Sequence, residues 1–181
     1  MPLSVPHIPV QAVVEIINEW ATTPQEISTR PWSGYPGGDS TARRELLDVW
    51  PSNVAEPDDA SIVRACDLIY PVFTVQWPIE TANYLNRAIV EYGVAPWLTG
   101  TQDALQLRWS TNHVEEFMTA IIVVSLLEHV SAAPRERFGI CESTTCADVL
   151  IDHSPTHTKH FCSPRCQTRE RVRAHRSRKP E

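Results

Sequence analysis

Residues 141–166 read CESTTCADVLIDHSPTHTKHFCSPRC, a stretch in which four cysteines form two close pairs. Cys141 and Cys146 are separated by four residues, Cys162 and Cys166 by three, and 15 residues lie between the pairs. Two such pairs can bring four thiolates onto one Zn²⁺ at about 2.3 Å each, which gives a closed tetrahedral site without an open position for substrate. The spacing therefore predicts one structural zinc ion.

The size of this C-terminal segment also favours a metal. About 45 residues bury too little apolar surface to become ordered unaided, so we expect an ion to hold them together. Two disulfides or unpaired thiols are the alternatives. We see no export signal after Met1 and therefore expect a reducing, cytoplasmic setting. His153, His157 and His160 offer a different ligand set, although four cysteines suffice.

The residues around the cysteines predict a hairpin followed by a helix. The run 147–151 is typical of a strand, and residues 160–162 are its expected partner, between the two cysteine pairs. Ser163 is a favoured helix N-cap and Pro164 suits the first helical position, so Cys166 falls in the first turn, where the helix dipole favours a thiolate. This order is similar to a treble clef.

The predicted helix runs from Pro164 to about Arg178, and Val172 is its only aliphatic residue larger than alanine. A helix without an apolar stripe gains little by packing on its own domain. Arginine contacts phosphates and guanine edges in pairs of hydrogen bonds, and a helix fits the major groove of DNA. We therefore predict contact with double-stranded DNA through the basic residues of this region, which are Lys159, Arg165, Arg169, Arg171, Arg173, Arg176 and Arg178.

Four of these arginines, Arg165, Arg169, Arg173 and Arg176, recur at intervals of four, four and three, which places them along one face. We expect Arg169 and Arg173 at base edges and the others at phosphates. A solvated basic tail, or a tail docked on the acidic part of the chain, is the alternative.

Charge divides the chain into two predicted domains. Residues 1–133 contain 16 acidic and 6 basic residues, whereas residues 134–181 contain 6 acidic and 10 basic ones. The overall net charge of −6 hides this contrast. We predict an acidic domain over 1–133, with a sensing or oligomerisation role, and a basic zinc-binding module over 134–181.

The acidic domain shows helical spacing of apolar residues. The longest apolar run, residues 118–127, is too short to span a bilayer, so we expect a core helix and no membrane association. The fold class is predicted as mainly α, a helical bundle with a small hairpin and a C-terminal finger. Helices are predicted at 9–21, 41–50, 58–70, 78–92 and 112–130, and a hairpin with a Thr99-Gly100 turn at 94–110.

Catalytic signatures are missing from the acidic domain. It has no Gly-rich phosphate loop, no His-Glu-x-x-His helix and no nucleophile elbow. His113, His129 and Cys66 each stand apart from a partner, and packing explains such residues better than catalysis. We predict that the protein is not an enzyme. The tryptophans line a pocket for a small-molecule effector or simply fill the core, and the sequence leaves both open.

The segment from Cys141 to Arg176 resembles the CGNR zinc finger of bacterial stress-responsive transcription regulators, whose N-terminal helical region is called an ABATE domain. The resemblance implies that the four cysteines bind zinc, that Asp152-His153-Ser154 matches an Asp-x-Ser motif, and that Phe161 matches an aromatic position. Two features depart from the family. The motif Cys-Gly-Asn-Arg reads Cys166-Gln167-Thr168-Arg169, and residues 156–160 have histidines in place of arginines.

These observations together predict a cytoplasmic, nucleoid-associated regulator of transcription. By analogy we also expect a homodimer formed through the helical domain, because a single small finger binds modestly. The alternative is an adaptor whose finger docks on an acidic protein of the transcription machinery without touching DNA.

Overall fold

The computed structural model describes residues 2–28, 41–134 and 136–177. The mainly helical class, with a small hairpin followed by a C-terminal helix, is confirmed. Single turns of 3-10 helix lie at Tyr70–Phe73 and Val114–Glu116. In chain order the elements are β1 (Leu3–Val5), α1 (Val10–Trp20), α2 (Thr22–Ile27), α3 (Thr41–Asp48), α4 (Asp59–Ile69), α5 (Ile79–Glu91), β2 (Ala95–Gly100), β3 (Leu105–Thr111), α6 (Phe117–Ala132), β4 (Arg137–Ile140), β5 (Val149–Asp152) and α7 (Pro164–Ser177).

Helix α6 forms the centre of the core. Every residue from Phe117 to Leu126 is buried, as expected of a helix that is apolar on all sides. The Ser125 hydroxyl donates to the carbonyl of Ile121 at 2.7 Å and accepts from the amide of Ile8 at 3.0 Å, so this buried polar group is satisfied. None of the helices in the described ranges has the length and apolarity needed to cross a bilayer.

Helices α1 and α4 follow the predicted periodicity. The inward face of α1 carries the buried residues Val13, Ile16, Ile17 and Trp20. Helix α4 begins after Asp58, whose carboxylate accepts a hydrogen bond from the backbone N–H of Ser61 at 2.8 Å. This cap satisfies one of the unpaired amides of the first turn. Hydrogen bonds from Ser61 also lower the pKa of the Asp58 carboxyl.

Helix α5 ends where the sequence places a glycine. Gly93 has a φ of 58°. This value lies in the left-handed region, which residues other than glycine rarely adopt. A Cβ atom at this position would lie 2.7 Å from the ring of His113. The glycine therefore serves both the helix end and the close approach of that ring.

The predicted hairpin at 94–110 is present, with two differences. Strands β2 and β3 pair antiparallel with Leu98 opposite Leu107, and the turn lies at residues 101–104 instead of Thr99-Gly100. Strand β1, which the sequence did not predict, pairs with the other side of β3, so that the sheet order is β1-β3-β2. A strand of three residues is too short to show an alternating pattern.

The hairpin of β4 and β5 packs directly on the helices. Phe138, Val149 and Ile151 belong to the same buried cluster as α1, α4 and α6, and the ring of Phe138 stacks on Phe73 with centroids 5.1 Å apart. The domain boundary at residue 133 stays a prediction. It coincides with the end of α6, but the apolar core continues across it.

Two side chains of the helices bind the backbone of this hairpin. The amide of Asn18 accepts from the N–H of Val149 at 2.6 Å and donates to the carbonyl of the same residue at 3.0 Å. The hydroxyl of Tyr70 donates to the carbonyl of Ala147 at 2.8 Å. Burial raises the pKa of Tyr70 to about 12, with smaller effects of Asp148 and Cys146. The hydroxyl therefore remains a donor at neutral pH.

We predict that Asn18→Ala lowers the free energy of unfolding by about 1–3 kcal/mol, because both backbone groups of Val149 lose their side-chain partner. Gln11→Ala is the matched control, since Gln11 lies on the exposed face of the same helix and bonds only Glu15, at 3.2 Å. Urea unfolding of the zinc-loaded variants measures the difference. Equal stability of the two variants would contradict the role of Asn18.

Candidate metal centre and basic helix

The first pair of cysteines lies in the loop of the β4–β5 hairpin. The N–H of Cys141 donates to the carbonyl of Asp148 at 2.8 Å, and the N–H of Cys146 to that of Ser143 at 3.1 Å. These bonds turn the chain so that both thiols point to the same side. We call residues 141–146 the knuckle.

The predicted pairing of residues 147–151 with residues 160–162 was wrong. Strand β5 pairs with β4, which precedes the first cysteine, and residues 160–162 form no strand. The partner was hidden because Phe138 and Ile140 give only two alternating apolar positions around Gly139. Residues 160–162 instead contact the knuckle through a backbone hydrogen bond, from the N–H of Glu142 to the carbonyl of His160 at 2.9 Å.

Asp152 shapes the loop between the two cysteine pairs. Its buried carboxylate accepts from the N–H of Ser154 at 2.8 Å, from the Ser154 hydroxyl at 2.6 Å and from the N–H of Lys159 at 3.1 Å. Burial alone would raise the pKa of this carboxyl, but these hydrogen bonds outweigh it and lower the pKa. The Asp-x-Ser motif therefore acts as a turn that leads the chain back toward the knuckle.

The second pair of cysteines sits at the start of α7. The hydroxyl of Ser163 accepts from the N–H of Cys166 at 3.3 Å, and its carbonyl accepts from the N–H of Gln167 at 3.2 Å. The predicted N-cap and the Pro164 start are thus present. Cys166 lies in the first turn and is the only buried residue of the helix.

The four thiols meet at one point. The sulfur atoms of Cys141, Cys146, Cys162 and Cys166 all lie within 4.8 Å of one another. The Sγ–Sγ distance is 3.7 Å between Cys146 and Cys162 and 3.6 Å between Cys162 and Cys166. Four thiolates at about 2.3 Å from a tetrahedral ion would be about 3.8 Å apart, and all four cysteines are free of disulfides. The donor set and its spacing fit one structural zinc ion, as predicted.

Protons compete with a metal at this site. Burial raises the pKa of the Cys141 thiol to about 11, and a hydrogen bond with Cys146, followed by burial, raises that of Cys162. Burial also acts to raise the pKa of Cys166, but hydrogen bonds with Ser163 and the neighbouring thiols outweigh it and lower that pKa. Zinc must displace the protons of the thiols whose pKa is raised, so the affinity of the site for zinc falls as the pH falls.

The inward face of α7 binds the knuckle. The carboxylate of Glu170 accepts from the hydroxyl of Ser143 at 2.9 Å and from the N–H of Thr144 at 3.0 Å. These hydrogen bonds lower the pKa of Glu170. Arg169 donates to the hydroxyl of Thr145 and lies 3.8 Å from the sulfur of Cys166. Helix α7 therefore holds the cysteine loop by side-chain contacts as well as through the site itself.

Residues 137–179 match the family model described as CGNR zinc finger. The C-terminal segment is therefore similar to CGNR zinc fingers. The matched range contains the whole β4–β5 hairpin, the four cysteines and α7. No curated protein sequence matches the chain. The relation of residues 1–133 to the ABATE domain stays a prediction.

The residues predicted to contact DNA fall into three groups. Arg165, Arg171, Arg173 and Arg176 are exposed, although Arg173 also donates to the hydroxyl of Thr144. Arg169 is half-buried against the knuckle, and the ammonium of Lys159 donates to the carbonyl of Ile151 at 3.0 Å. Arg178 lies outside the described residues.

Sequence reasoning missed the contacts that support the site. Glu170 and the threonines of the knuckle carried no visible signal, because their partners are 24–29 residues away along the chain. The two residues that replace the family's Gly-Asn, Gln167 and Thr168, are exposed. Thr168 stands on the outer side of the helix, whereas Gln167 lines a cavity together with Cys162 and Ser163.

The isolated candidates of the helical part are packed. His113 lies against Gly93, and His129 stacks on Phe138 with centroids 6.1 Å apart. Contrary to the expectation that His129 has no partner, its Nε2 also lies 2.9 Å from the carboxylate of Glu136. Cys66 is fully buried, and burial raises the pKa of its thiol, which disfavours the reactive thiolate form. These environments agree with a packing role.

We predict that Arg169→Ala raises the dissociation constant for zinc about 10- to 100-fold, because an outer contact that orients the ligands is removed. Arg165→Ala should leave zinc affinity unchanged, since that arginine is adjacent to Cys166 but exposed. Competition with a chromophoric chelator gives both constants. If the two variants bind zinc equally well, the Arg169 contact does not support the site.

Proposed function

We propose that the protein regulates transcription by binding double-stranded DNA through α7 of its zinc finger. The observation that carries the proposal is the exposure of this helix. From Arg171 to Ser177 every residue is exposed, and the helix carries five arginines, Arg165, Arg169, Arg171, Arg173 and Arg176, over its 14 residues. An exposed cationic helix has the width and the charge that the major groove accepts.

The two sides of α7 divide its arginines. Cys166, Arg169, Glu170 and Arg173 share the side that meets the knuckle. At 100° per residue, Thr168, Arg171 and His175 occupy the opposite side, and Val172 lies at its edge. Arg165 and Arg176 stand between Val172 and Arg169. We infer that the outer side faces the bases and that Arg165 and Arg176 neutralise phosphates along one groove wall.

This assignment changes the roles first expected of two residues. Arg169 and Arg173 were the predicted base contacts, and in the metal-site geometry both are engaged with knuckle threonines. Val172 is 44% exposed and suits contact with a thymine methyl group. Lys159 and Gln167 line the same cavity of about 280 Å³ at the start of α7. Because Lys159 lies this close to the helix, we assign it as an additional phosphate contact.

The helical part supports the proposal through its charge. Its excess of acidic residues repels DNA, so contact is confined to the finger end of the molecule. We further propose that this part senses a small effector. A groove of about 450 Å³ with an apolar wall of Trp50, Val54, Phe117 and Met118 is a candidate site. Asn18 and Tyr70 would pass a change in the helices to the backbone of the finger.

Selection of bound DNA from a random pool, with zinc-loaded protein and after chelation, tests the proposal. We expect a chelator-sensitive consensus and, for about four to six neutralised phosphates, a slope of roughly −4 to −5 in log affinity against log salt. A zinc-loaded protein that enriches no sequence, or binds with no salt dependence, would contradict DNA binding. Retention of an acidic transcription protein under those conditions would favour the adaptor.

We predict that Arg165→Ala and Arg176→Ala each weaken DNA binding about tenfold and reduce the salt slope by about 1, because each removes one phosphate contact. Arg87→Ala is the matched control, an exposed arginine on α5 of the helical part, and should change neither quantity. Zinc content is measured in parallel. Loss of affinity with an unchanged slope would mean that these arginines do not contact phosphates.

A further inference from the structure

The hairpin of β2 and β3 is exposed on both faces from Ala95 to Arg108. Every residue of β2 is exposed, as are the first four residues of β3. Leu98, Leu105 and Leu107 are 63%, 76% and 64% exposed, and Trp97 is 47% exposed. We call residues 95–108 the apolar arm.

The register gathers the leucines on one face of the arm. Leu98 is directly opposite Leu107, and Leu105 is opposite Gly100, so that all three side chains stand on the same side. The next pair on this face, Pro96 and Trp109, lies where the arm meets the core. The leucine face is therefore continuous from the turn of the arm to its base.

A cleft lies at the base of the same face. It has a volume of about 600 Å³, and its walls include Leu107 and Trp109 from the arm, Pro6 beside β1, and Val49 and Pro51 after α3. The surface thus combines a projecting apolar element with a concavity next to it, whose lining also includes the polar residues His7, Asn53 and Glu128.

We propose that the apolar arm is the interface of a homodimer, in which the arm of each copy packs into the cleft beside the arm of the other. Such an interface is isologous and closes after two copies. The inference does not depend on what α7 binds.

Composition favours a second copy over other occupants. The arm contains one aspartate and one arginine, Asp103 and Arg108, so it carries no net charge to attract DNA or an anionic surface. Homodimer interfaces are more apolar than those of transient complexes, because the two copies are seldom apart. Three exposed leucines on one face fit this class.

The available area is adequate for a dimer. The three exposed leucines of this face present on the order of 400 Å² per copy, within the range of the largest patches seen on monomers. The walls of the cleft add to this, which brings the contact toward the lower end, roughly 600 Å² per partner, of specific interfaces.

Sedimentation equilibrium of the full-length, zinc-loaded protein from about 1 to 100 µM tests the proposal. We expect a dimer, and we expect the double variant Leu105→Glu, Leu107→Glu to raise its dissociation constant at least about 100-fold, because the contact would bury unpaired carboxylates. Ile79→Glu is the matched control, since Ile79 is 73% exposed on α5, and should leave the dimer unchanged. Thermal melting and zinc content verify that each variant is folded.

Amide hydrogen exchange of the wild-type protein gives a second measurement that requires no variant. Peptides covering 95–108 should exchange more slowly at high protein concentration than at low concentration, whereas those of α5 should not change. A wild-type monomer at 100 µM, or a dimer that persists in the double variant without added protection of the arm, would overturn the proposal. Sedimentation of the wild type, but not of the double variant, with phosphatidylcholine vesicles would assign the arm to lipid and overturn it as well.

Discussion

The convergence of four thiolates on one ion is the constraint on which the C-terminal part of the structure depends. Helix α7 buries only Cys166, and therefore has no apolar face that would hold it against the protein. Zinc supplies that attachment, because it joins the first turn of α7 to the knuckle. The four thiolates more than neutralise the charge of the ion, and the guanidinium of Arg169 lies beside the sulfur of Cys166 to offset part of the remainder.

The β4–β5 hairpin of the finger packs directly against the helical part. Strand β5 is buried along its whole length, and Asn18 binds both backbone groups of its first residue. A displacement of α1 would therefore move β5, and through the hairpin the knuckle on which α7 rests. This chain of contacts provides a physical route by which an event in the helices could change the orientation of the basic helix.

Some of these elements can be predicted from the sequence and others cannot. The cysteine spacing and the Ser163-Pro164 cap specify the metal site and the start of α7, because both are local patterns with one chemical solution. The partner of β5 was mistaken because β4 shows only two alternating apolar residues. The contacts of Arg169, Glu170 and Arg173 were not predictable, since they depend on where the chain folds the knuckle. A helical wheel locates an arginine on a face but does not identify the neighbour that occupies that face.

A basic helix without a core must use some of its charged residues for its own support. On α7 the residues that share the side of Cys166 bond the knuckle, and an arginine whose guanidinium is engaged there has fewer of its five N–H donors free for a base edge. Among the residues that the structure describes, the arginines of the flanks have no such engagement, and they stand exposed. Because hydrogen bonds to charged groups contribute more than neutral ones, this division lets one short helix be both anchored and cationic. Gln167 and Thr168, which stand where the family has Gly-Asn, are likewise exposed.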